Sequence, residues 1–532
     1  MRMKTILLVL FFTCLVFSQE ETKKNPTVEL PDFVITGTSK VSIKKVDKIK
    51  PDFVSTISEE FFKPSYSPEE LKIGDFSNPI KSDMGFLNDV SYFKGNIAAG
   101  IGIYTIPTVN INYAQPFTNG IVEGMFDGSF TRAYDIDNSD RYKTRAGFNL
   151  LYWTDIDGEF LPGTQFNVNG DYGTTSLKFF ASDNPTQRRS INYGKFEVAI
   201  KNDFNRNVLL NLMLTDKVAN ISQEEFKENN LRLKGESLIK LSDFNLGVDV
   251  DYRNHTIKNL SGNNSGKDFL LLRPAAGFQL TELVKASFGW NFSRGAGNTF
   301  NSPYASAAIK LDKSLTLFGE FNPSAQFESP GTYLITNNYL RVDNIGSIYW
   351  EKKNSLSATI KYEYDKYFQI DGGFKYFSSD NYPYFKSSAQ TGKFILASRD
   401  VQSISPFIDF LFYLGPNGEF YSSLQYNNAT ISNGNYVPYI PNFEMNATYT
   451  YKFSPEVKGS AFVNYLSKRY ADIDNISSVG DYLNLGLKIV YTFRPNFDFT
   501  AQINNLLDHH NYLWLGYKEI PINVILGINY RL

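Results

Sequence analysis

The sequence holds one cysteine and three histidines in 532 residues. Cys14 lies inside an apolar run, Ile6 to Phe17, which follows the basic start Met1-Arg-Met-Lys and precedes Ser18-Gln19. That order predicts a secretory signal peptide over residues 1–18. Leu15, Val16 and Phe17 carry the apolar stretch past Cys14, unlike a lipoprotein cleavage site, so the cysteine is expected to leave with the peptide. A mature chain without cysteine has neither disulfides nor thiolate-held metal. Long apolar runs are missing as well: nothing later approaches the roughly 20 residues of a membrane-spanning helix. An excess of either charge is also lacking, since 53 Lys and Arg face 55 Asp and Glu, and no basic stripe stands out. Nucleic acid is therefore not an expected partner.

What the chain does have is aromatic residues, 34 Tyr and 45 Phe, and strict alternation. In the last run Val524, Leu526, Ile528, Tyr530 and Leu532 share one face and Asn523, Gly527, Asn529 and Arg531 the other, with Ile525 the exception. Successive strand side chains point to opposite sides, so one face suits lipid and the other water. The same dyad appears in Leu483 to Phe493, Phe443 to Tyr451 and Leu356 to Tyr364. Any one of these strands fits a soluble sandwich as well as a membrane barrel; repetition over most of the chain favours the barrel.

Short polar turns recur near Pro116-Phe117-Thr118, Asp155 to Gly158, Asp203-Phe204-Asn205, Ser242-Asp243, Leu280-Thr281, Asp312-Lys313, Lys352-Lys353-Asn354, Gly415-Pro416-Asn417, Ser454-Pro455 and Arg494-Pro495-Asn496. Between them lie longer polar connections such as Asn259 to Lys267, Gly295 to Ser302 and Ala471 to Gly480. Short periplasmic turns opposite long extracellular loops are the asymmetry of outer-membrane barrels. The turns predict an all-β fold: a transmembrane antiparallel β-barrel of about 22 strands over residues 91–532, in the outer membrane of a diderm bacterium. The long interval from Asn354 to Gly415 fits either an extra hairpin or two long strands under a large loop around Ser378 to Gln390.

Several stretches then resemble a known family. Asn504-Asn-Leu-Leu-Asp508, Tyr512, Trp514, Gly516-Tyr517 and the terminal Gly527 to Leu532 look like the closing hairpin of TonB-dependent outer-membrane receptors. Tyr465-Leu-Ser-Lys-Arg-Tyr470, and Ser329-Pro330 with Asn337-Asn-Tyr-Leu340, resemble that family's barrel motifs, although Leu532 replaces its usual terminal aromatic residue. Pro31-Asp-Phe-Val-Ile-Thr-Gly-Thr38 is similar to the short β-prone segment with which such receptors begin and which includes or adjoins the TonB box. The resemblance implies that Asp32, Phe33, Val34, Ile35, Thr36 and Gly37 bind TonB by strand addition. Family members continue into a plug domain, of which only Pro51 to Glu60 bears a trace here. Residues 19–90 are thus expected to be a periplasmic segment with a plug remnant, and residues 39–90 have too little apolar surface for their own core.

Catalysis and cofactors are not expected. His509 and His510 are adjacent, so on a strand they would face opposite ways, and a solvated loop pair is the plainer reading. His255, in Tyr252-Arg-Asn-His255, has no Ser or Asp at a characteristic spacing. Asp137-Asn-Ser-Asp140, Asp155-Ile-Asp157 and Asp472-Ile-Asp474 read as acidic turns or weak calcium loops. Asn428, Asn446 and Asn475 begin glycosylation-type triplets that carry little weight. Trp153, Trp290, Trp350 and Trp514 fall toward strand ends, which suits membrane interfaces; stacking on a ligand is the sharper alternative. Two functions remain. In one, TonB pulls on the segment around Val34 and Ile35, changes how residues 39–90 occupy the lumen, and admits a solute. In the other, the barrel is a passive pore or a structural dock, its N-terminal peptide tethering a periplasmic or surface protein.

Overall fold

The computed structural model describes residues 94–532, apart from 158–160, 203–207, 242–243, 259–264, 282, 313, 344, 365–367 and 416–417. The described chain forms a closed antiparallel barrel of 22 strands. It closes where Gly95–Gly102 pairs with both Thr105–Phe117 and Asn523–Arg531, Ala98 standing opposite Asn110 on one side and Asn529 on the other. Two wall strands are each broken once. Leu315–Phe321 and Ser324–Glu328 share the partner Ile348–Tyr364, and Glu419–Tyr426 and Asn428–Ile431 share Phe394–Tyr413. The first break falls at Asn322-Pro323, where proline has no N–H for the ladder.

Alternation sets the two faces as expected. Leu526, Ile528, Tyr530 and Leu532 are exposed outward, as are Leu487, Ile489, Tyr491 and Phe493. Inward residues meet across strands in polar ladders that satisfy groups removed from water. Asn149 donates to Glu123 at 3.0 Å, Asn169 and Thr215 donate to Glu197 at 3.1 and 2.9 Å, and Arg232 grips Asp251 at 2.9 and 2.7 Å. An apolar exterior around a polar interior is the outer-membrane architecture. Both ends of the described chain lie on the short-turn side, where Lys94 donates its N–H to the carbonyl of Leu532.

The structure corrects three readings. Lys352-Lys353-Asn354 is not a turn but lies within Ile348–Tyr364, at a register shift between Lys352 and Asn354. Lys352 points inward over the Trp350 and Phe377 rings, while Lys353 turns outward to Asp380. A polar triplet looked like a turn because charge pattern alone does not separate a turn from a bulge at the end of a strand. The hairpin pairs Tyr364 with Phe368 instead. The long interval holds two 20-residue strands, Phe368–Ser387 and Phe394–Tyr413. The large loop expected around Ser378 to Gln390 shrinks to residues 388–393, because strands of this length continue well past the 9–11 residues that cross a bilayer. Gly295 to Ser302 is likewise no long loop. Gly295 pairs with Asn298, and Ala296 and Gly297 turn the chain with φ of 51° and 87°, the left-handed pair of a tight hairpin.

Candidate functional site

The long-loop mouth of the barrel is covered by a folded lid. Its centre is the connection 329–347, which carries a short helix, α1 (Pro330–Thr336), with Pro at its start and Pro330, Gly331, Tyr333 and Leu334 buried. The connection is fastened to the wall at separate points. The Gly331 N–H donates to the Glu228 carboxylate at 2.6 Å. A Cβ at Gly331 would meet those carboxylate oxygens at 3.0 and 3.1 Å, so a larger residue there would push the carboxylate back from this contact. Arg189, 1% exposed, grips Glu224 with two N–H groups at 2.6 and 2.7 Å. Its third arm donates to the carbonyls of Asn338 and Leu340, both at 2.7 Å. Paired and hydrogen-bonded in this way, a buried guanidinium holds the loop backbone to the wall. Leu340 then forms a bridge with Phe394, Arg341 N–H donating to the Phe394 carbonyl at 2.8 Å. At the far end of the connection Ser347 Oγ lies 3.3 Å from His255 Nδ1.

Loops from around the rim pack on this frame. Trp514 is ringed by Phe385, Phe394 and Tyr439, with ring centroids at 5.0, 5.3 and 4.8 Å. Tyr339 stacks on Tyr517 at 3.4 Å, and the Tyr517 hydroxyl donates to the Gly392 carbonyl at 2.6 Å. These rings belong to one buried apolar cluster with Leu334, Leu340, Val342, Val437 and Ala471. Arg469 is the second clamp: 0% exposed, it donates to the Tyr512 carbonyl at 2.5 Å and to those of Gly480 and Leu513 at 3.4 Å. Burial pulls its guanidinium down to about 10. Nearby, Tyr134 donates to the Lys518 carbonyl at 2.7 Å and Lys518 pairs with Asp135 at 2.5 Å. Burial first, and the Glu519 carboxylate second, push the phenols of Tyr134 and Tyr339 up, against the opposing field of Arg141.

The TonB-box candidates Asp32, Phe33, Val34, Ile35, Thr36 and Gly37 lie outside the described residues, as do the expected signal peptide and the segment 19–90. His509 and His510 sit in the loop after Asn504, as expected, and His509 Nδ1 lies 3.0 Å from Asn511 Oδ1. His255 has a serine partner after all, supplied from the lid connection 92 residues away in sequence, a distance at which spacing carries no signal. Its ring is fully buried and stacked on Phe327 at 4.3 Å, and among the described residues its Nε2 has no hydrogen-bond partner, so the contact with Ser347 joins the lid connection to the wall. Among the described residues no group of three His, Cys, Asp or Glu converges on one point. Asp472 accepts N–H groups from Asp474, Ile476 and Ser477 at 3.0, 3.1 and 2.5 Å, and Asp140 pairs with Lys178 at 2.7 Å. Trp153 and Trp290 face outward, but Trp350 and Trp514 are buried in the lid region, where interface placement does not apply.

The three stretches that resemble barrel motifs meet in this lid: Tyr339 from the first, Arg469 from the second, Trp514 and Tyr517 from the third. Arg189 and Glu224, which bind the first of them to the wall, were invisible in the sequence because each sits in an ordinary polar loop margin.

No protein-family model and no curated protein matches the chain. Solved structures do. The FrpB iron transporter from Neisseria meningitidis superposes with a TM-score of 0.63, covering 83% of this chain and 82% of its own at 9% identity. The copper transporter OprC gives 0.60 over 82% of this chain and 80% of its own at 11% identity. The ferric-catecholate import receptor Fiu from Escherichia coli K12 gives 0.59 over 82% of each at 12% identity. These neighbours are TonB-dependent receptors. The barrel has their fold. At such identities the likeness shows the fold alone.

Proposed function

We propose that the protein is an outer-membrane receptor and transporter barrel whose lid gates a solute at the extracellular mouth, with TonB supplying the work through Asp32 to Gly37. The observation that carries this reading is the lid itself. A passive pore of this width needs an open mouth, whereas here loops from around the rim share a buried core and two buried arginines hold loop carbonyls. A solute passes only if those contacts give way, which requires an energy source or a ligand that prefers the open form. Strand addition at Asp32 to Gly37 offers the first, since its affinity comes from main-chain hydrogen bonds.

The test is binding of the TonB C-terminal domain to the full-length protein in detergent. Ile35→Pro should abolish it, because proline removes a main-chain donor from the added strand. Val34→Ile should retain it. Binding that survives Ile35→Pro would leave an uncoupled dock as the better account.

A further inference from the structure

The two arginine clamps of the lid are unequally made, and the difference has a direction. We infer that the lid parts at Arg469: the connection 432–442 and the hairpin 467–480 tilt together on the strands that carry them, while 329–347 and the loop 505–519 stay in place. The inference rests on the receptor reading above and says where its gate opens.

The connection 432–442 and the hairpin 467–480 are zipped to each other. The Tyr439 N–H donates to the Tyr470 carbonyl at 2.8 Å, and Asn435 donates to the Ile473 carbonyl at 3.0 Å. The Asn475 amide exchanges two bonds with the Tyr436 backbone, at 2.7 and 2.9 Å, and the Tyr436 and Tyr470 rings stack at 5.9 Å. The rest of the lid is joined as firmly. Asn511 exchanges bonds with the Leu483 backbone at 2.7 and 2.8 Å, Tyr134 donates to the Lys518 carbonyl at 2.7 Å, and Tyr517 donates to the Gly392 carbonyl at 2.6 Å. Glu228 and the Arg189 clamp fix 329–347 to the wall.

Between these two bodies the contacts are of another kind. Among the described residues the hydrogen bonds that cross from 432–442 and 467–480 to the rest of the lid come from Arg469 alone: 2.5 Å to the Tyr512 carbonyl and 3.4 Å to that of Leu513. The second lies at the outer limit of such a bond. The other contacts are apolar, with the Tyr439 ring against Trp514 at 4.8 Å and Phe394 at 5.7 Å. Arg189 is matched by the Glu224 carboxylate, but among the described residues no carboxylate pairs with Arg469, and Glu444 and Asp481 act on it only at longer range. Its guanidinium stays charged at neutral pH, since burial lowers it only to about 10. Arg469 Nε and the Tyr439 hydroxyl are both buried without a hydrogen-bond partner. A buried charge without a counter-ion, and a buried donor without an acceptor, are costly because water has been removed from them. Parting the seam gives both groups water, whereas parting the lid anywhere else breaks short, well-made bonds. The seam at Arg469 therefore costs least to open.

The experiment measures distances between pairs of nitroxide labels by pulsed electron spin resonance on the full-length protein in detergent. The sequence has no cysteine after Cys14, so introduced cysteines are labelled selectively. Ile476→Cys is paired with Ser432→Cys within the tilting unit and with His510→Cys across the seam, and His510→Cys with Ala389→Cys on the part that stays. The distribution across the seam should be the broadest of the three, a result that needs no clamp variant to fold. Arg469→Glu, which sets a carboxylate against the Tyr512 and Leu513 carbonyls, should shift that distribution to longer distance and leave the other two unchanged, with the heat-dependent gel shift of a folded barrel retained. The inference is overturned if the distance across the seam is no broader than the others in the parent, if folded Arg469→Glu leaves it unchanged, or if the distance within the tilting unit changes as much. TonB binding and conductance test the transporter reading and these distances test only the seam, so either can fail while the other stands.

Discussion

Arg189 illustrates how a single side chain ties the lid to the rim. It joins a carboxylate on the rim to two loop carbonyls, and it lies over the Phe179 ring with its guanidinium carbon 4.6 Å from the centroid. Arg189→Ala removes one partner of a largely buried pair, which typically costs about 3 to 5 kcal/mol, and the partial exposure of Glu224 favours the lower figure. The lid should loosen while the wall persists. Limited proteolysis is expected to cut within residues 329–347 in the variant and not in the parent, with the gel shift of the folded barrel retained; equal protection in both would deny Arg189 a clamping role. Acid provides a second residue-scale handle. The side-chain hydrogen bond from Lys518 holds Asp135 below its ordinary value, and that from Arg341 does the same for Asp343. For Asp472, burial acts to raise the carboxyl but is outweighed by the N–H groups of Ile476, Ser477 and Asp474. A carboxylate whose folded pKa is depressed stabilises the fold fully above its unfolded value, 3.8 here, and loses that contribution as pH falls through the folded one. Pepsin should therefore begin to cut the extracellular loops as the pH is lowered below about 4, before the barrel wall yields. Loop cleavage that is independent of pH between 5 and 2 would contradict this.

Among elements, the closing strand Asn523–Arg531 is the most exacting. Leu526 and Ile528 face outward and pair with Ile101 and Ala99 of the first strand, so they lie on the seam that completes the barrel. A charge near the bilayer midplane of a barrel costs about 2 to 4 kcal/mol. Leu526→Arg and Ile528→Arg should thus reduce the heat-modifiable fraction recovered from outer membranes. Asn529→Arg should be milder, since Asn529 faces the lumen, where its amide donates to Asp498 at 3.2 Å. Equal losses on the two faces would mean that burial from lipid is not what phases this strand. Why the strand was readable while the Lys352 to Asn354 segment was not follows from the same physics. A strand with lipid on one side and water on the other must alternate, but the ends of Ile348–Tyr364 and Phe368–Ser387 lie above the bilayer and carry no such constraint. There Lys353 is free to face outward and pair with Asp380.

For the whole molecule the question is where the gate lies. If the lid closes the mouth, deletion of residues 39–90 alone should leave planar-bilayer conductance low, and the same deletion combined with Arg189→Ala should raise it. High conductance from the deletion alone would place the gate in the N-terminal segment. This experiment also separates a transporter from a structural dock, because a dock has no reason to open when a single clamp is lost.

The sequence by itself determined the wall. Alternation names the face of a strand and turn residues mark nearly every short hairpin, and together they set the approximate strand number, since these depend on contacts between a residue and its solvent or its neighbours in the chain. Only the tertiary structure decided the mouth. Arg189 with Leu340, His255 with Ser347, Tyr339 with Tyr517 and Arg469 with Tyr512 join residues whose separation in sequence follows no period. Their meeting depends on the closed circle of the barrel, which brings distant loops above one opening, where the guanidinium groups of Arg189 and Arg469 find loop carbonyls.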